Sequence, residues 1–197
     1  MTGVDLLIVR HGQSVWNARG IWQGTEDPPL SDLGRRQAEL AADHLDDRFD
    51  EVWSSDLERA HQTAETMARS LGLATVRVIA DLRERFAGPW QGRTREQIED
   101  RWPGWLDSGR RPEQYETDEQ LSARVLPALC AAAKPVDGRR VLVVAHGGVI
   151  ISLDRHLGED FHRYPNLTGR WYRFAEDGIE PGERVDLIPP SIDLGLE

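Results

Sequence analysis

Leu6-Leu7-Ile8-Val9-Arg10-His11-Gly12 is the stretch that decides the fold. An unbroken aliphatic run ends abruptly in a cation, an imidazole and a glycine. Such a run fits a strand buried on both faces, because a half-solvated strand alternates apolar and polar residues. The residues just past its carboxyl end then stand at the rim of a sheet, where open α/β sheets bind their ligands. Val141-Leu142-Val143-Val144-Ala145, followed by His146-Gly147-Gly148, repeats the arrangement. Two buried strands that each deliver a histidine and then glycine predict one shared site.

Working outward, Gly12 to Leu30 is polar and rich in glycine and proline, a loop rather than an element. Ser31 is predicted to cap a helix carrying Leu33, Gln37, Leu40, Ala41, His44 and Leu45 as its buried stripe. A short strand around Glu51–Ser54 leads into a helix from Leu57 to Ser70, stopped by Gly72. Another strand is expected at Val76–Ile79. Residues 81–116 read as irregular, with one short helix near Thr94–Trp102. Thr117-Asp118-Glu119-Gln120 is a capping box opening a helix to about Ala133. A helix over about Val149–Leu157 follows the second aliphatic strand and closes at Gly158. A hairpin of Arg170–Phe174 and Val185–Ile188 is expected around Asp177-Gly178. Strands alternating with helices predict an α/β fold: a three-layer αβα sandwich around a mainly parallel sheet.

At 197 residues the chain suits a single domain over 1–197. The 81–116 insertion is too long for a plain connector and is expected to roof the site. A net charge of −10 argues against a nucleic-acid binder, which needs a basic surface. Lys134 is the sole lysine, so nearly all positive charge is arginine, the better fork for phosphate or carboxylate. Cys130 is alone, which excludes an intramolecular disulfide and a cysteine-based metal site; it reads as a small buried hydrophobe on a helix. No apolar run approaches a membrane span, so a soluble, cytoplasmic protein is expected. The oligomeric state is not legible.

The chemistry follows from the residue types. Neutral imidazole is a nucleophile at physiological pH, and phosphoryl groups are good targets for it. Attack at phosphorus needs cations around the equatorial oxygens, and Arg10 adjoins His11 for this. Gly12 and Gly147-Gly148 lack a Cβ, which lets backbone N–H groups approach an anion. Gly147-Gly148 also opens a helix, whose N-terminus favours negative charge. Ser54-Ser55-Asp56-Leu57-Glu58-Arg59 supplies a second arginine, on the first turn of its helix.

Arg10-His11-Gly12-Gln13-Ser14-Val15-Trp16-Asn17 resembles the signature of the histidine phosphatase (phosphoglycerate mutase-like) superfamily. Leu30-Ser31-Asp32-Leu33-Gly34, Ser54-Ser55-Asp56-Leu57 with Arg59-Ala60 and Thr63-Ala64, Leu82-Arg83-Glu84, and Ala145-His146-Gly147-Gly148 match its further blocks in order. The resemblance implies a metal-independent and cofactor-free phosphatase acting on a small phosphorylated metabolite. It implies that His11 becomes phosphohistidine and that Arg10, Arg59 and His146 bind the transferring phosphoryl group. Asn17, Gln23, Gly24 and Gly147 would complete the pocket. Glu84 would give a proton to the leaving oxygen and then act as base towards water.

Departures lie in the roof. Ala87 and Gln91 stand where the family usually has a bulky apolar residue and an acid. Tyr115-Glu116-Thr117 replaces a common Gly-Glu-Ser. Gln23-Gly24 resembles the phosphatase branch, whereas mutases tend to carry a small residue before that glycine. The 82–98 segment loosely resembles actinobacterial glucosyl-3-phosphoglycerate phosphatases. Rival readings stay open on the residues alone: a phosphoglycerate mutase-type phosphoryl transferase, a catalytically silent phospho-ligand binder, a two-histidine metal site, or an ion-paired Glu84. The same is true of Arg59 as a solvated helix arginine.

Overall fold

A computed structural model describes residues 3–45, 49–136 and 138–188. Its centre is a six-stranded sheet: β1 (Gly3–Arg10), β2 (Glu51–Ser54), β3 (Val76–Val78), β4 (Arg140–Ala145), β5 (Thr168–Ala175) and β6 (Gly178–Asp186). The spatial order is β3-β2-β4-β1-β5-β6, parallel from β3 to β1 and antiparallel at β5 and β6. The sheet is therefore mainly parallel.

Helices cover both faces and explain the aliphatic runs. Leu7 and Val9 of β1, with Leu142 and Val144 of β4, pack beneath α1 (Asp32–Asp43) and α2 (Glu58–Ser70). Leu6 and Ile8, with Val141 and Val143, pack beneath α4 (Asp118–Ala133) and α5 (Gly147–His156). Every one of these strand residues is at most 1% exposed, and full burial of each contributes roughly 1.5–3 kcal/mol. After β1 the chain leaves toward the α1 face, and after β4 toward the α5 face. Neighbouring parallel strands whose connections part to opposite faces open a crevice at their carboxyl ends, where such sheets place ligands.

The caps behave as their side chains require. Ser31 accepts from the Gly34 N–H, and Thr117 forms its capping box with Gln120. A second capping box, Thr94 with Gln97, starts α3 (Arg95–Arg101). Residues 81–116 carry a small core of their own, in which Ala87, Trp90 and Ile98 are buried against Trp22, Trp102, Trp105, Leu106 and Tyr115.

Several expectations are corrected. The buried residues of α1 are Gly34, Gln37, Ala38, Ala41 and Ala42, while His44 is exposed and Leu33, Leu40 and Leu45 are half-buried. Small side chains win there because α1 lies close against the site loop and α2: a Cβ on Gly34 would collide with the Gln13 carbonyl. The second hairpin strand starts at Gly178 rather than Val185. Glu180, Pro181, Gly182 and Glu183 conceal it in sequence, yet an edge strand tolerates charge and proline. Cys130 is exposed, because α4 turns Leu121, Val125, Leu129 and Ala132 inward and leaves Cys130 on the outer face. Among the described residues no helix is long and apolar enough to cross a membrane.

Candidate active site

The register of the two central strands builds the site. Arg10 pairs with Ala145 at the end of the β1–β4 ladder, and the His11 N–H continues it to the Ala145 carbonyl at 3.1 Å. His11 and His146 are therefore the next residues on adjacent parallel strands. Their rings meet edge to face with centroids 5.2 Å apart.

His11 is 2% exposed, and both ring nitrogens have fixed surroundings. Nδ1 lies 2.6 Å from the Gly12 carbonyl, which only accepts, so Nδ1 carries the proton. Nε2 is then the lone-pair nitrogen, and Arg59 donates to it from Nε at 3.1 Å. Burial pushes the imidazole well below its ordinary pKa, and the Arg59 and Arg10 guanidinium groups push in the same direction. His11 is thus a neutral imidazole with an available nucleophilic nitrogen.

Arg59 is fully buried in the first turn of α2, held by the carbonyls of Glu26 at 2.8 Å and Gly24 at 2.9 Å. Burial pushes its pKa down to about 10, although Glu84 and Asp27 oppose the shift. Arg10 donates from Nη1 to the Tyr164 carbonyl at 2.8 Å, and burial lowers its pKa too. Converging, partly desolvated guanidinium groups leave room for an anion that satisfies them.

His146 carries the clearest sign of a missing partner. It is fully buried at the N-cap of α5, and neither ring nitrogen has a hydrogen-bond partner. Burial, then Arg59, His11 and Arg10, hold its pKa well below the ordinary value. An orphaned buried ring beside two arginines fits a site built to receive oxygen atoms.

Glu84 sits across from these groups. Its Oε1 accepts from the Arg85 N–H at 2.8 Å and its Oε2 from the Gly148 N–H at 3.0 Å, in the first turn of α5. A Cβ on Gly148 would strike the Glu84 carboxylate, so glycine there is what lets the acid reach the helix end. Gly147 sits against Arg10, with space for a Cβ at ordinary contact, 3.5 Å from Arg10 Cδ. The Gly12 N–H is committed to Thr63 Oγ1 at 3.1 Å rather than facing an anion. A Cβ on Gly12 would instead meet the Gly34 carbonyl at 2.6 Å, so close packing against α1 accounts for this glycine.

Asn17 and Gln23 line the cleft with Gly24. The Asn17 side-chain oxygen accepts from the Ser14 N–H at 3.2 Å, and the Gln23 oxygen accepts from the Ser14 hydroxyl. Both amide NH2 groups are then left as donors. Gly24 has φ +55°, and its carbonyl seats Arg59.

The cleft holds about 1210 Å³ and is lined in part by Arg85, Arg111 and Tyr115, together with Arg163 and Asn166, which sequence reasoning did not single out. Arg111 and Tyr115 come from the 81–116 segment, whose pattern gave no periodicity to interpret. Asn166 donates to the His11 carbonyl at 2.8 Å, from a loop whose sequence carries no motif. Among the described residues, no group of three or more His, Cys, Asp or Glu side chains converges as a metal site.

Comparison with known proteins places the chain in a family. The family model of the histidine phosphatase superfamily (branch 1) matches residues 6–176. A glucosyl-3-phosphoglycerate phosphatase of Mycobacterium tuberculosis is 39% identical over 166 residues, covering 77% of this chain and 74% of the relative. A 2,3-bisphosphoglycerate-dependent phosphoglycerate mutase of Allorhizobium ampelinum is 35% identical over 166 residues, 78% of each chain. The solved structure of a mycobacterial glucosyl-3-phosphoglycerate phosphatase with VO3 superposes with a TM-score of 0.79 at 33% identity, covering 90% of this chain and 96% of that one. Strand-end histidines in register, buried arginines around them and the family match lead to one conclusion: this chain belongs to the histidine phosphatase superfamily.

Proposed function

We propose that this chain is a metal-independent phosphoric monoester hydrolase that acts on a small phosphorylated metabolite through phosphohistidine. The observation that carries the reading is the pair of imidazoles: His11, neutral, with Nε2 as its lone-pair nitrogen, beside His146, buried with both nitrogens unpartnered.

His11 Nε2 attacks phosphorus, forming the N–P bond as the ester P–O bond breaks. Arg59 turns its Nε–H from the imidazole to a phosphoryl oxygen, and Arg10 and His146 hold the others. Asn17 and Gln23 add amide donors, and Gly147 stands with the first turn of α5 at the phosphoryl group. Glu84 gives its proton to the leaving alkoxide, a contribution of typically 10²–10⁴-fold. Water then attacks the phosphohistidine, Glu84 takes its proton, and orthophosphate leaves with His11 restored. Charge neutralisation comes from guanidinium groups and imidazole, so no metal enters a step.

We further propose that residues 1–197 form a single domain with 81–116 as the roof. The cleft of about 1210 Å³ exceeds what a three-carbon phosphoester fills and suits a larger leaving group such as a glycosylated phosphoglycerate. A cytoplasmic location goes with a substrate whose charge keeps it inside cells.

The test is turnover of a phosphoester panel containing phosphoglycerates and glucosyl-3-phosphoglycerate, with labelled substrate quenched for an acid-labile protein label. Wild type is expected to release phosphate with EDTA present, while His11→Ala loses both label and turnover, by about 10⁴-fold or more. Turnover by His11→Ala would overturn the mechanism. Isomer exchange of phosphoglycerate without steady phosphate release would mark a mutase instead. Tight phosphate binding without turnover of any ester would mark a silent binder.

A further inference from the structure

We infer that Asp154, through Tyr164, is a positioning residue for the Arg10 guanidinium, and that the Tyr164–Leu167 segment is a strap holding the nucleophile's turn in register. The inference rests on the proposed role of Arg10 in binding the phosphoryl group.

The strap makes three polar contacts to Arg10 and His11. The Tyr164 carbonyl accepts from Arg10 Nη1 at 2.8 Å, the Leu167 N–H donates to the Arg10 carbonyl at 3.0 Å, and Asn166 Nδ2 donates to the His11 carbonyl at 2.8 Å. Asn166 also reaches the Asn17 side-chain oxygen at 3.4 Å. Leu167 is fully buried at φ +58°, a left-handed conformation disfavoured for a branched side chain. Something must hold the chain in that shape.

The hold is a carboxylate buried away from the cleft. Asp154, on the last turn of α5, is 2% exposed. Its Oδ2 accepts from the Tyr164 hydroxyl at 2.6 Å, and its Oδ1 accepts from the Tyr172 hydroxyl at 2.6 Å and from Arg170 Nη1 at 3.0 Å. Both tyrosines are 1% exposed. The two hydroxyls differ in what they anchor. Tyr172 lies in β5, which the sheet ladder to β1 already fixes. Tyr164 lies outside any strand, and its own carbonyl is the seat of Arg10. Losing the Tyr164 hydroxyl therefore frees the seat, whereas losing the Tyr172 hydroxyl leaves β5 in place.

The experiment compares Tyr164→Phe, Tyr172→Phe and Asp154→Asn in the full chain. Affinity for inorganic phosphate and for orthovanadate is measured by competition against p-nitrophenyl phosphate hydrolysis, with the melting temperature recorded alongside. Tyr164→Phe and Asp154→Asn are expected to weaken both anions by about tenfold, the scale of one charge-assisted hydrogen bond. Tyr172→Phe is expected to lower the melting temperature similarly while keeping anion affinity within about twofold. Equal loss of affinity in the two tyrosine variants, in step with melting temperature, would reduce the cluster to general stability and overturn the proposal. Unchanged affinity in Tyr164→Phe would also overturn it. A wild-type protein that binds neither anion would remove the phosphate site itself, and this positioning role with it.

Discussion

The proposed phosphoryl centre and the proposed 81–116 roof are built on different principles. Arg10, His11 and His146 stand at the ends of two central strands, so their separation is set by ladder register, and Arg59 is locked by two backbone carbonyls. The 81–116 roof has no strand. It coheres through rings and guanidinium groups: Trp90 meets Trp22 at 5.1 Å and Tyr115 at 5.6 Å, and Arg111 lies 5.2 Å over Trp90. Backbone hydrogen bonding sets where the strand-end histidines and Arg59 stand, while side-chain packing shapes the wall contributed by residues 81–116.

The strongest way to sharpen this contrast is Glu84→Gln, which keeps the shape of the side chain that borders both regions. Phosphate release from alkyl phosphoesters should fall by about 10²–10⁴-fold, and far less from p-nitrophenyl phosphate, whose leaving group needs no proton. Equal losses on both esters would show that Glu84 holds structure rather than moving a proton.

Next in size is a pH effect confined to the centre. His11 and His146 are held neutral, with pKa values well below 6.5, and once unfolded they bind protons near that ordinary value. Below about pH 6.5 the unfolded chain therefore binds more protons than the folded one, and stability falls as pH falls. The slope approaches about 1.4 kcal/mol per pH unit for each histidine until its folded pKa is reached. Phosphate-free thermal melts should show this decline, and His146→Gln should remove its share. A slope unaltered by that substitution would assign the decline elsewhere.

The mildest effect on chemistry is expected from Ile98→Ala, which hollows the roof core. Amide exchange should accelerate across residues 87–106, while kcat on p-nitrophenyl phosphate stays within about threefold. A parallel collapse of kcat would mean that roof and centre open as one unit, and the contrast would break.

Legibility followed the same division. The runs ending at Arg10 and Ala145 announce buried strands, since only strands covered on both faces need such continuous hydrophobicity. Ser31, Thr94 and Thr117 mark helix starts because capping is local chemistry. Arg163, Asn166 and Tyr164 were invisible, because a loop residue acquires a role only from what the fold brings beside it. The hairpin strand starting at Gly178 was hidden for a related reason: an edge strand follows its neighbour's hydrogen bonds rather than its own composition. Cys130 and the α1 stripe misled because residue type records a preference for burial, not which face a packed helix turns inward.

By itself the sequence determined the layered α/β fold, the two histidines at strand ends and the residues expected around a phosphoryl group. These rest on local periodicity, capping and motif order, which a linear chain carries in full. Only the tertiary structure decided that β1 and β4 are neighbours in register and that Arg59 faces His11 Nε2. It also decided that His146 is left without a partner and that Tyr164 offers its carbonyl to Arg10. Those facts depend on which distant segments share a surface, and that is settled by packing both faces of one sheet at once.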